Sequence, residues 1–142
     1  MAFVIHNPPE FTLDVEQWTR QTKANGEQMA KNVIEPMLNN EIYLKGEVER
    51  QEHVTQITLT AAGWSGTTAP YIQTVAVSGV TEQMEPILVS ALADGASEAT
   101  QKAYSKAFGI VSSGTASVGD GTATFKVYKK PVTDIVVGLK GV

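Results

Sequence analysis

A chain of 142 residues suits one domain, or one small domain with an appendage, and a single fold of that length buries roughly 70% of its extended surface. Apolar residues make up 42%, formal net charge is -4 and cysteine is absent. Disulfides, thiol nucleophiles and Cys-based zinc sites are thereby excluded, and nucleic-acid binding, which needs a clustered Lys/Arg face, is not expected from a chain whose only basic doublet is Lys129-Lys130.

Residues 1 to about 12 read as an extended arm, because Asn7-Pro8-Pro9 disfavours helix. The opening MAFVIHNPPEF has no basic start and its apolar run ends at His6, so a secretion signal is not expected. No run approaches the ~20 apolar residues of a membrane span, so membrane insertion is not expected either.

From about residue 13 to 52 the pattern is helical. Thr12 or Asp14 is the expected N-cap before Val15-Glu16-Gln17-Trp18, and Asn25-Gly26 interrupts the run. A second helical run carries Met29, Ala30, Val33, Ile34, Met37, Leu38, Ile42, Leu44 and Val48 as a broad apolar stripe. Pro36 predicts a kink or break near Glu35, and Asn39-Asn40 a second interruption. A lone helix of this length is marginal in water. Its stripe must be covered either by sister copies or by the chain's own β-rich part, and self-association is the favoured expectation.

Residues 53–142 read as strands, turns and one helix. Thr55, Ile57 and Leu59 share one strand face, and Gln56, Thr58 and Thr60 share the other. Gly63 to Pro70 is a loop, followed by a strand from Tyr71 to Ser78 with Val75 and Val77 on one side. Ile87 to Leu92 is apolar but for Ser90, which predicts a strand buried on both faces. Ser97 is the expected N-cap of a helix ending near Phe108, with Ala99, Ala103, Tyr104, Ala107 and Phe108 on its apolar face. Ile110-Val111 reads as a return to strand, and Gly114 to Gly121 as a flexible hairpin connection. Ala123, Phe125 and Val127 face one way and Thr124, Lys126 and Tyr128 the other; Lys129 to Asp134 is a loop, and Ile135, Val137 and Leu139 alternate in the last strand. The expected fold is α+β: an N-terminal arm and helical stem (1–52), then an antiparallel β-sandwich or sheet with one packed helix (53–142).

Chemistry is sparse. His6 and His53 have no partner at ligand spacing, so no metal site is expected. Ser65 in Gly63-Trp64-Ser65-Gly66 misses the G-x-S-x-G elbow by one position, and turn chemistry accounts for both glycines. Gly114 to Gly121 has no Walker lysine and leads to a strand, so it is no phosphate cradle. Glu10, Asp14 and Glu16 suit a helix start, and Glu47, Glu49 and Glu52 interleave with Lys45 and Arg50 as a solvated helix surface does. No catalytic residue or cofactor is expected. Trp64 and Tyr71, with Lys129 and Lys130, are the candidate ligand contacts; the plainer expectation for Trp64 is an aromatic folded over the end of the core.

The stretch from Leu59 to Val80 contains Trp64-x-Gly66-x-x-x-Pro70-Tyr71-x-Gln73-x-Val75-x-Val77-x-Gly79-Val80. With Pro86-Ile87-Leu88-Val89, Lys102-Ala103-Tyr104, Thr124-Phe125-Lys126-Val127-Tyr128 and Asp134 to Lys140, it resembles a module of tail-fibre and baseplate proteins from phages and prophages of Gram-positive bacteria. Asn25 to Leu44 is similar to the short helical segment that precedes heads in such fibres. The resemblance implies a non-enzymatic homotrimer that contacts other virion proteins, located in the virion after synthesis in the host cytoplasm and release by lysis. Met29, Val33, Met37, Leu38, Ile42, Leu44 and Val48 are then the expected interface between copies. A host-glycan-binding head, a capsid head fibre or neck appendage, and a small cell-wall hydrolase are the alternatives, the last opposed by the missing nucleophile and ligand clusters.

Overall fold

A computed structural model describes residues 3–13, 15 and 26–142. The expected cap at Asp14, the helix start at Glu16 to Trp18 and the break at Asn25 lie outside the described residues. The chain divides into two compact units, Met1–Arg50 and Gln51–Val142.

In the first unit the described part of the arm forms neither helix nor strand and bends at Asn7-Pro8, and helix runs from Gly26. A short α1 (Gly26–Met29) passes into a π-helical turn, Ala30–Ile34, and then into α2 (Glu35–Glu52). Pro36 therefore does not break the helix. Its ring clashes with a normal i−4 carbonyl and it offers no N–H. The turn before it widens instead, with Glu35 N–H donating to Ala30 O five residues back, and the helix carries on. Nor do Asn39-Asn40 interrupt α2. Their side chains bond the arm, and the one bond to the helix's own backbone, from Asn39 to Glu35 O, runs to the i−4 carbonyl without breaking the helix.

The second unit is α+β, with two three-stranded antiparallel sheets and one helix. One sheet has β1 (Val54–Leu59), β6 (Ile135–Lys140) and β3 (Ile87–Ser90) in that order; the other has β2 (Tyr71–Ala76), β5 (Thr122–Val127) and β4 (Thr115–Gly119). β1 and β6 pair from Val54↔Lys140 to Leu59↔Ile135, and β2 and β5 from Tyr71↔Val127 to Ala76↔Thr122. Period-two alternation puts Ile57, Leu59, Ile135, Val137 and Leu139 of one sheet, and Ala123, Phe125 and Val127 of the other, into a shared core. Helix α3 (Glu98–Ser112) packs on β5 and β6. Ser97 caps it, accepting from Thr100 N–H at 3.2 Å.

Three local expectations are corrected. Ile110-Val111 continues α3, because Tyr104, Ala107 and Val111 recur at steps of three and four and Val111 enters the core. Gly114 to Gly121 is largely strand β4, paired with β5 from Thr115↔Lys126 to Gly119↔Thr122 around the turn Asp120-Gly121. β3 is an edge strand ending at Ser90, not a doubly buried one reaching Leu92; Ile87 is 63% exposed.

The end of β3 has a definite cause. Its register with β6 closes at Ser90↔Val137, so the next rung would join Ala91 to Val136. The Tyr104 hydroxyl fills that rung, accepting from Ala91 N–H at 2.9 Å and donating to Val136 O at 3.0 Å. These two bonds fasten α3 to the sheet, and the Tyr104 ring stacks within the helix on Phe108, centroids 5.8 Å apart. Tyr104→Phe leaves both backbone groups without that partner and is expected to cost about 1–3 kcal/mol in chemical denaturation, with the strands retained by circular dichroism.

Candidate functional site

The stem carries the first candidate surface. Met37, Leu38, Leu44 and Val48 of α2 line one groove of about 910 Å³, together with Ile34, Asn40, Glu41, Lys45, Glu49 and Phe11 from the arm. Of the expected interface residues, Met29 and Ile42 are exposed outside this groove, and Val33 is half-buried outside it. Met37, Leu44 and Val48 are 57%, 52% and 56% exposed. Lys45 and Glu49 sit on the rim, 3.8 Å apart. Arg50 hydrogen-bonds Glu47 at 2.8 Å, and this bond lowers the Glu47 carboxyl below its ordinary pKa and raises that of Arg50.

The arm beside this groove is held by α2 through side-chain amides. Asn39, 4% exposed, accepts from His6 N–H at 2.8 Å and donates to Val4 O at 3.0 Å and to Glu35 O at 2.9 Å. Asn40 accepts from Thr12 N–H and donates to Thr12 O, both at 2.8 Å. Val4 N–H also donates to Glu35 Oε1 at 2.7 Å, and Phe11 packs at a tilt on Tyr43. The amides read the peptide rather than its side chains, as a neighbouring strand would. Sequence reasoning missed this strap because Asn-Asn in a helical run signals a break by local rules.

The head carries the second candidate. Trp64 is 4% exposed and belongs to the core, so its ring does not present a stacking face to a ligand. This corrects its assignment as a contact residue. Tyr71 and Lys130 do come together, with the ammonium 4.6 Å from the ring centroid. Lys130 Nζ also donates to Trp64 O at 3.1 Å and Gly66 O at 3.2 Å, so it pins the Gly63 to Pro70 loop. Lys129 is exposed. The two glycines of this loop serve different ends. Gly66 adopts φ +103°, which side-chain-bearing residues rarely adopt, while a Cβ at Gly63 would collide with the Gln73 amide. Gln73 is buried, and its amide, oriented to suit, accepts from Thr60 N–H at 3.1 Å and donates to Thr60 O at 3.2 Å.

The other chemical candidates have local partners. Ser65 hydroxyl donates to Ile72 O at 2.9 Å, beside the isolated bridge Ser65↔Ile72. His53 Nδ1 lies 2.7 Å from Val142 O, and His6 Nδ1 lies 3.9 Å from Glu10. Among the described residues no three His, Asp or Glu converge as metal ligands, and no helix is long and apolar enough to cross a membrane. No family model, curated protein or solved structure matches the chain.

Trp64→Ala is expected to destabilise the head by about 3–5 kcal/mol in denaturant unfolding, as truncation of a core aromatic does. Asn39→Ala is expected to speed proteolytic cleavage within residues 3–13 while leaving the head's unfolding midpoint unchanged, a contrast that limited proteolysis and denaturation measure on one sample.

Proposed function

We propose that this chain is a non-catalytic structural component of a phage virion, a tail-fibre, baseplate or related appendage protein that assembles as a homotrimer through its helical stem and carries a β-rich head. The observation that supports this most is the exposed apolar stripe of α2. Met37, Leu44 and Val48 are each more than half exposed on one side of the helix, and the chain gains by covering such a side. The head adds support of another kind. Its Trp64 to Val80 segment resembles a module of phage and prophage fibres and baseplates, and its polar side chains are spent on loop and strand closure.

On this proposal the stem joins copies and other virion proteins, and the protein resides in the virion after release by host lysis. Binding of a host glycan by the head has less support, since the ring best suited to stacking on a sugar, Trp64, is enclosed.

Light scattering of the full chain at micromolar concentration is expected to report three chains per particle, and the double substitution Met37→Asp, Leu44→Asp to report one, with β-structure retained by circular dichroism. A native chain that stays monomeric through this range overturns the proposal.

A further inference from the structure

The head has an opening into its own core. Strands β3 and β4 are each paired on one side only, β3 with β6 and β4 with β5. Residues of both line a cavity of about 450 Å³. Leu88 and Val118 come from these two strands, and Ala123, Phe125 and Leu139, all buried in the core, line it as well. Small-molecule sites in proteins run from roughly 300 to 1,000 Å³ and are mostly apolar with a few polar groups.

The polar groups here are all of one sign. Glu82 and Glu85 line the cavity and are exposed. Their loop is fixed by Met84 N–H donating to Thr81 O at 3.1 Å and by Glu82 N–H donating to Asp120 Oδ1 at 3.3 Å, which brings a third carboxylate beside Glu82. Glu82 Oε1 accepts from the Gln83 amide at 2.9 Å, but among the described residues none of Glu82, Glu85 and Asp120 is ion-paired. No lysine or arginine lines the cavity. Lys126 and Lys140 alternate with Phe125 and Leu139 along their strands, so they stand on the outer faces of the sheets.

We infer that this cavity binds a short alkyl chain that ends in an ammonium group, with the chain against Phe125 and Leu139 and the ammonium at Glu82 and Glu85. The chain gains by leaving water for the apolar lining. The cation meets carboxylates that no residue of the protein neutralises, beside a wall of low dielectric that strengthens the attraction. A chain ending in a carboxylate meets like charge at the same place, and an alkanol meets neither attraction nor repulsion. Charge thus selects the ligand class and the apolar lining holds it. This site lies in the head and is independent of how the stem assembles.

Titration of the full chain with hexylammonium, hexanol and hexanoate, followed by the amide resonances of Ala123 and Leu139, tests this. Hexylammonium is expected to bind saturably and at least about tenfold more tightly than hexanoate, with hexanol between them. The double substitution Glu82→Gln, Glu85→Gln, at exposed positions, is expected to bring the three probes to within about twofold of one another. Ala116 pairs with Phe125 and so shares its face, and it lines the cavity from an exposed edge. Ala116→Trp is expected to abolish hexylammonium binding, with the fold checked by circular dichroism. Absence of hexylammonium binding, equal binding of hexanoate, or a preference that survives the double substitution overturns the inference.

Discussion

Side-chain carboxamides that pair with a peptide's N–H and C=O hold the irregular parts of this chain in place. In the first unit Asn39 takes His6 N–H and Val4 O, and Asn40 takes both polar groups of Thr12. In the second, Gln73 takes both polar groups of Thr60. Each pairing substitutes for a strand neighbour where none exists, and each gives backbone groups outside the ladders a partner. The consequences reach outward. Gly63 has no room for a Cβ because the Gln73 amide occupies it, and the arm lies where Phe11 can wall the stem groove because Asn39 and Asn40 fix its path.

The Tyr104 hydroxyl acts on the same principle at the edge of a sheet. It fills the rung after Ser90↔Val137 and so ends β3 two residues before the apolar run ends in sequence. Lys130 is a cationic version, tied to two loop carbonyls and to the Tyr71 face. Of the residues that look like ligand contacts in sequence, Trp64, Tyr71 and Lys130 thus serve closure of the head. Exposed apolar groups occur on both units, Val132 and Ile87 among them on the head, but on the stem they line one groove, and the proposed role in assembly follows from that grouping.

Much of the architecture was legible. Alternation at Thr55 to Leu59, Ala123 to Val127 and Ile135 to Leu139 marks the strands and their inner faces correctly, because a half-buried strand cannot hide its period of two. Ser97 marks the start of α3 for an equally local reason. The errors have a common origin. Ile110-Val111 suits strand or helix by composition, and only the core beneath Ala107 decides for helix. The apolarity of Ile87 to Leu92 says nothing of edge or centre, which depends on whether a seventh strand exists to cover it. Of the stem surface, Met37, Leu38, Leu44 and Val48 were readable from the helical period; Phe11 was not, since its approach to α2 depends on contacts about thirty residues apart.

The sequence by itself determined the α+β class, the inward faces of the strands, the cap of α3 and the apolar stripe of the stem, because periodicity and capping act between residues within a turn or two. Only the tertiary structure decided that Trp64 is enclosed, that Asn39-Asn40 straps an arm instead of breaking a helix, that Pro36 is absorbed by a π-turn, and where β3 stops. Each of these turns on which polar group finds which partner across the fold, and such pairing is a property of distance in space that spacing along the chain does not encode.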